Sequence, residues 1–292
     1  MNNGIAEAGG KRTRCEVCFR RCELSEGQTG ACGARVNQGG RIRARYYGQI
    51  SSLALDPIEK KPLAHFHPGS VILSAGSVGC NLHCPFCQNH EIAQSTQVRT
   101  ETVEPERLAD LAKRCENRGN IGIAFTYNEP LVGYEYVRDT AALVHSRGMV
   151  NVMVTNGTAS LDVLGELTPH IDAMNIDLKG FTDRYYRDVL RGDRKMTMDF
   201  ISEAVKHCHV ELTTLIVPGE NDSEEEMREL SAWVAGLKGI HGGKTGKEIP
   251  LHVSRFFPRY QMTDRKATDV RAVYHLAEVA REKLAYVHVG NC

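Results

Sequence analysis

From residue 71 onward the chain alternates between two patterns. Apolar, β-prone runs fall at 71–75, 121–126, 150–155, 173–178, 210–217 and 250–254. Helical periodicities lie between and after them, at about 103–117, 131–147, 160–168, 183–206, 223–238 and 265–282, and a short run follows at 286–289. Alternation of this kind argues for parallel strands joined by crossover helices. Six repeats with a final short strand suit an α/β fold of the partial (β/α)6, TIM-like barrel kind. In such folds chemistry sits at the C-terminal ends of the strands, so each strand end is a place to look.

The first strand end carries the densest chemistry. Residues 77–88 read SVGCNLHCPFCQ, placing Cys80, Cys84 and Cys87 in a C-x3-C-x2-C frame. Thiolates are soft ligands that select zinc or iron–sulfur clusters. A closed zinc site wants four ligands, and His83 and His90 are near enough in sequence to compete for the fourth place. Three thiolates on a cubane cluster would instead leave one iron open.

Upstream, residues 1–14 are small, polar and without periodicity, which predicts disorder. Residues 15–69 read as a small appendage with a linker, and 70–292 as the barrel. The appendage holds Cys15, Cys18, Cys22 and Cys32 in a C-x2-C-x3-C-x9-C frame, with Gly27, Gly30 and Gly33 available for tight turns. Four cysteines so close predict a metal knuckle, and the ligand count suits zinc or a second iron–sulfur cluster. Residues 35–52 alternate as strands of a small β unit. Residues 56–70, charged and proline-bearing, predict a loop in which Lys60, Lys61, His65 and His67 crowd together.

Composition narrows the class. The chain has 292 residues, 41% hydrophobic, with 36 acidic and 36 basic residues and a formal net charge of zero. That is enough for one large core and an appendage, and it carries no basic footprint for nucleic acid. No apolar run nears the roughly 20 residues of a membrane span, and the opening MNNGIAEAGGKRTR lacks the apolar stretch of a signal peptide. Of ten cysteines, seven lie in the two clusters. Thiols so arranged predict a cytoplasmic protein that uses them for metal rather than disulfides. Cys115 and Cys208 read as buried thiols.

The cysteine frame, with Phe86 before its last member, resembles the radical S-adenosylmethionine (SAM) signature. The wider stretches DPIEKKPLAHFHPGS (56–70) and GCNLHCPFCQNHEIAQ (79–94) resemble the AmmeMemoRadiSam-system radical SAM enzymes, relatives of the pyruvate formate-lyase activating enzyme. The resemblance implies a 4Fe–4S cluster on Cys80, Cys84 and Cys87 whose open iron chelates SAM. It also implies an anaerobic oxidoreductase that cleaves SAM reductively, using electrons from flavodoxin or ferredoxin, to a 5′-deoxyadenosyl radical that abstracts hydrogen from substrate. The substrate it points to is a protein glycine, or a partner protein or peptide of the named system. A small molecule is the alternative, and a non-catalytic zinc adaptor is the reading outside enzymes.

The other strand ends follow the same resemblance. Asn128, Glu129 and Pro130 stand where many relatives carry Gly-Gly-Glu-Pro, which holds the SAM amino group; Tyr127 and Asn128 replace the glycines. Thr155, Asn156 and Gly157 match a Thr-Asn-Gly near the SAM ribose, while Val154 replaces the aspartate that helps bind a monovalent cation in the activating enzyme. Asp177 and Lys179 match an Asp-x-Lys assigned to catalysis and to the SAM carboxylate. Two residues apart on a strand, they share a face. Val217 ends the fifth strand as an adenine floor, and His252 in Pro250-Leu251-His252 resembles a histidine near SAM. Phe256, Phe257 and Tyr260, with Arg255 and Arg259, read as an aromatic, cationic lip.

Overall fold

The computed structural model describes residues 12–95 and 97–292. Of the segment expected to be disordered, residues 1–11 lie outside the described residues. Within the rest of it Thr13–Arg14 (β1) is ordered, pairing antiparallel with Glu23–Leu24 (β2). The appendage continues as a hairpin, Arg35–Gln38 (β3) with Arg41–Ala44 (β4), and then Gln49–Ile50 (β5).

The main sheet begins earlier than its sequence suggests. Ser52–Pro57 (β6) runs antiparallel to Val71–Gly76 (β7), Ser52 facing Gly76 and Pro57 facing Val71. Residues 56–70 are therefore not all loop: Asp56 and Pro57 end a strand, and Ile58–Lys60 form a 3-10 turn. After β7 come the short helix His90–Ala93 (α1) and Glu101–Thr102 (β8), which pairs with β5.

Strand and helix then alternate: Pro105–Arg114 (α2), Asn120–Phe125 (β9), Tyr134–Ser146 (α3), Val150–Thr155 (β10), Leu161–Leu167 (α4), Ala173–Asp177 (β11), Arg194–Ala204 (α5), His209–Ile216 (β12), Glu224–Ala235 (α6), Leu251–Arg255 (β13), Val270–Arg281 (α7) and Val287–Gly290 (β14). The eight-stranded sheet has the order β14-β13-β12-β11-β10-β9-β7-β6, parallel throughout except at β6. It is the expected partial barrel with a cysteine-bearing appendage. Strands covered on both faces need near-continuous apolar runs, and β9 to β13 supply Ile123, Val152, Met153, Met174, Ile176, Leu212 and Leu251, all nearly free of solvent.

Local chemistry sets the helix starts. Ser160, Asp193, Ser223 and Asp269 each accept a hydrogen bond from a first-turn N–H of α4, α5, α6 and α7, and Pro105 opens α2. One helical expectation splits. Residues 183–206 form a π-turn at Tyr185–Val189, a break, and then α5. The His83 N–H takes the Leu190 carbonyl at 2.9 Å, and Gly192 lies so close to Leu82 that a Cβ there would stand 2.6 Å from it. The loop bearing the cysteines thus packs directly on the break.

Candidate active site

At the C-terminal end of β7 the chain turns through Gly76 to Gly79 into the C-x3-C-x2-C segment. Ser77 fixes the turn, its N–H donating to Asn128 Oδ1 (2.8 Å) and its hydroxyl to the Gln49 carbonyl (2.8 Å). Cys80, Cys84 and Cys87 join an apolar cluster with Leu82, Phe86, Tyr185, Tyr186, Leu190, Val217 and Phe256. Phe86 meets Phe256 edge to face, with centroids 6.0 Å apart. Burial pushes the Cys84 thiol up to about 12 and raises Cys80 and Cys87, so unliganded thiolates are costly here.

These residues fit an iron–sulfur cluster. The Leu82 and Asn89 N–H groups point at the sulfurs of Cys80 and Cys87, the donors a thiolate-bound cluster uses. Tyr185 lies in the same cluster of side chains, fully buried, and among the described residues its hydroxyl has no partner. The rival zinc ligands are engaged elsewhere: His83 pairs through Nδ1 with Arg20 (3.0 Å), and His90 stacks on Tyr260 at 4.4 Å.

Glu129 stands at the end of β9, buried, and ties two strand ends together. Its carboxylate accepts from Thr155 Oγ1 (2.6 Å), the Asn156 N–H (2.8 Å) and the Leu131 N–H (3.0 Å). Burial pushes it up to about 7 against these three donors. Asn128 clamps the cysteine loop, its amide donating to the Gly79 carbonyl at 3.3 Å. Asn156 reaches both Cys80 Sγ (3.6 Å) and Asn81 Oδ1 (2.9 Å).

Lys179 donates to Asp177 at 2.7 Å. Burial works against its ammonium, yet the charges of Asp177 and Cys84 raise its pKa above the ordinary lysine value. Val217 lies buried in the apolar cluster of the cysteines. Thus Phe86, Asn128, Glu129, Thr155, Asn156, Asp177, Lys179 and Val217 all lie at the strand-end side of the barrel. Of the aromatic lip, Phe256 is buried, while Phe257 is exposed under the Arg255 guanidinium at 4.8 Å. Cys208 is buried, and Cys115 only half-buried.

His252 is elsewhere. It faces Thr213 in register, three residues below the end of β13, and donates to Glu211 at 2.7 Å. Glu211 was missed by sequence reasoning. Its carboxylate also takes His209 Nε2 (2.9 Å) and the N–H groups of His65 (2.7 Å) and Ala64 (3.0 Å). The segment from Ile58 to Ser70 is thereby pinned across the N-terminal mouth of the barrel. Ile58 and Leu63 fill its floor against Ile72, Ala124, Val152 and Ala173. Lys61 is buried and paired with Asp56 at 2.8 Å, while His65 shares a hydrogen bond with His288 at 2.9 Å. The signal for Glu211 was a charge in the middle of the apolar run of β12.

Known proteins resemble this chain in sequence and in fold. The family model described as the Radical SAM superfamily matches residues 75–231. An uncharacterized protein of Methanocaldococcus jannaschii is 38% identical over 284 residues, 96% of this chain and 81% of that protein. The 4-hydroxyphenylacetate decarboxylase activating enzyme of Clostridioides difficile is 20% identical over 161 residues, 52% of this chain and 51% of its own length. Among solved structures, Streptococcus suis SuiB bound to S-adenosylmethionine superposes with a TM-score of 0.56 at 13% identity, covering 73% of this chain and 48% of that one. That last likeness concerns the fold alone.

Proposed function

Because this chain belongs to the radical SAM superfamily, we propose that Cys80, Cys84 and Cys87 hold a 4Fe–4S cluster and that SAM binds at its open iron. The observation that carries this reading is the thiol triad packed into one apolar cluster, with N–H donors on two of its sulfurs and a Tyr185 hydroxyl that is unpaired among the described residues. When bound, the cluster and SAM supply one-electron cleavage to methionine and a 5′-deoxyadenosyl radical that takes hydrogen from substrate. A reduced flavodoxin or ferredoxin is the proposed electron source.

The chain's own residues orient and shield. Lys179, held by Asp177, offers its ammonium to the SAM carboxylate. Glu129 places a carboxyl near the SAM ammonium while bracing β9 to β10. Thr155 and Asn156 line the ribose side, and Val217 with Phe86 keeps water from the reacting centre. A second metal centre at Cys15, Cys18, Cys22 and Cys32 belongs to the same reading.

The proposed substrate is another protein: a glycine of a partner enzyme, or a companion protein of the AmmeMemoRadiSam system. The relative named as an activating enzyme supports that class. The proposed location is the cytoplasm; among the described residues no helix is long and apolar enough to cross a membrane. The test is 5′-deoxyadenosine formation from SAM by anaerobically reconstituted, reduced protein. Wild type should form it and Cys84→Ala should not. Wild type that takes up no iron would overturn the reading.

A further inference from the structure

The four N-terminal cysteines are brought around one small enclosed cavity, lined also by Val17, Arg20, Arg21, Arg35 and Val132. Their surroundings repeat those of the cysteine triad. The Val17 N–H points at Cys15, the Arg20 N–H at Cys18, and the Ala34 and Arg35 N–H groups at Cys32. Donors two residues beyond a cysteine favour its thiolate over its thiol.

A second observation is independent of the sulfurs. Arg35 is buried, with Nη1 on Glu135 at 2.6 Å, and among the described residues its Nε has no oxygen or nitrogen acceptor. Cys15 is the sulfur within its reach. A buried guanidinium beside Cys15 favours that sulfur as a thiolate, the form in which a thiol binds metal. Among the described residues no group of three donor side chains, in the knuckle or in the triad, is already set around a single metal ion.

The knuckle is also fastened to the loop that carries the triad. Asn81, fully buried, lies beside Cys18 on one side and donates its amide to the Thr158 carbonyl at 2.7 Å. On the other it accepts from Asn156 Nδ2, which also reaches Cys80. Gly79, at φ +97°, lies against the knuckle so closely that a Cβ would stand 2.6 Å from the Cys32 carbonyl oxygen. Arg20 donates to the Asn81 and Arg191 carbonyls at 2.9 Å each. Cys32 and Cys80 line one shared crevice.

We propose that Cys15, Cys18, Cys22 and Cys32 form a second thiophilic metal centre, and that Asn81 couples its occupancy to the geometry of Cys80. The first half stands on the knuckle alone. The second rests on the cluster assigned above to the triad. The chemistry is that of a tetrathiolate site compensated by arginine, which suits a zinc ion or an iron–sulfur cluster.

The experiment reconstitutes full-length protein anaerobically with iron, sulfide and zinc, then measures metal, acid-labile sulfide and visible absorption. The Cys80→Ala, Cys84→Ala, Cys87→Ala triple variant should keep its second metal. Zinc without colour identifies an ion; iron with matching sulfide and colour identifies a cluster. A folded triple variant empty of metal, beside a wild type that binds iron, overturns the proposal and leaves the triad reading intact. Wild type without iron overturns the triad reading instead.

Coupling is tested by Asn81→Leu, which keeps all seven cysteines. It should hold both metals but change the electron paramagnetic resonance line shape of the reduced triad cluster with SAM. Cys208→Ser, remote from both sites, should change neither. An unaltered spectrum in Asn81→Leu overturns the coupling. Cys22→Ser, at the least buried of the four cysteines, should lose the second metal and keep the triad's iron.

Discussion

Two buried glutamates, one toward each end of the barrel, show how differently one side chain can be used. Glu211 and Glu129 both lie almost free of solvent, and both collect backbone N–H groups. For each, burial works to raise the pKa. At Glu211 two histidines and two backbone N–H groups more than offset it, and the carboxyl is held well below its ordinary range. At Glu129 a hydroxyl and two N–H groups do not, with Asp177 adding repulsion, and the group rises to about 7. The first is a finished structural joint. The second is short of positive charge, at the end of the barrel where a cationic ligand is proposed.

Removing the finished joint should have the largest effect. Glu211→Ala leaves His209, His252 and two N–H groups facing an apolar floor. By analogy with broken buried pairs it should cost about 3–5 kcal/mol of stability, measured by urea denaturation. Iron uptake in the protein that remains folded should be unchanged. A loss under about 1 kcal/mol, the range of an exposed pair, would mean that the mouth of the barrel is not held by this residue.

The two glutamates also predict opposite pH dependence. Glu211 has its folded pKa below the ordinary 4.5, so its contribution is present above that value and is lost as pH falls below it. Glu129 is raised, so its contribution in metal-free protein is full below 4.5 and is lost as pH rises through about 7. Denaturation midpoints across pH should therefore show an acid limb that Glu211→Gln flattens and a limb nearer neutrality that Glu129→Gln flattens. One limb responding to both variants would break the comparison.

Smaller is the effect expected on ligand binding. Glu129→Gln keeps the shape but removes the charge, so the reconstituted protein should bind SAM about tenfold more weakly, or ~1.4 kcal/mol, by isothermal titration. Glu211→Gln should leave SAM affinity unchanged. Equal weakening by both would mean that the carboxylates act through the fold.

Much of this was readable in the sequence, for identifiable reasons. Strand and helix periodicities are local, and apolar runs such as that of β12 mark a strand buried on both faces. The cysteine spacing is local too. What escaped depends on pairings between distant segments. Ser52–Pro57 becomes a strand only because it meets β7, and Lys61 is buried only because Asp56 receives it. His252 has the right sequence neighbours for a strand-end ligand, but register places it beside Thr213. Asn81 sits between a cysteine and an apolar residue, with nothing local to mark that it packs between the two cysteine groups.

Tyr185 carries the comparison to its smallest term, a polar group with no partner among the described residues. Its hydroxyl is buried beside the triad and unpaired, on a π-turn of the kind frequent at functional sites. An unsatisfied buried hydroxyl costs about 1 kcal/mol or more. Tyr185→Phe should therefore stabilise the metal-free protein by about that amount. If a bound cluster were to supply sulfur acceptors to the hydroxyl, the gain should vanish or change sign in cluster-loaded protein. Urea denaturation of both forms reads the difference directly. The same gain in each would mean that the hydroxyl stays unpaired with the site filled, and that its place beside Cys84 is a matter of packing.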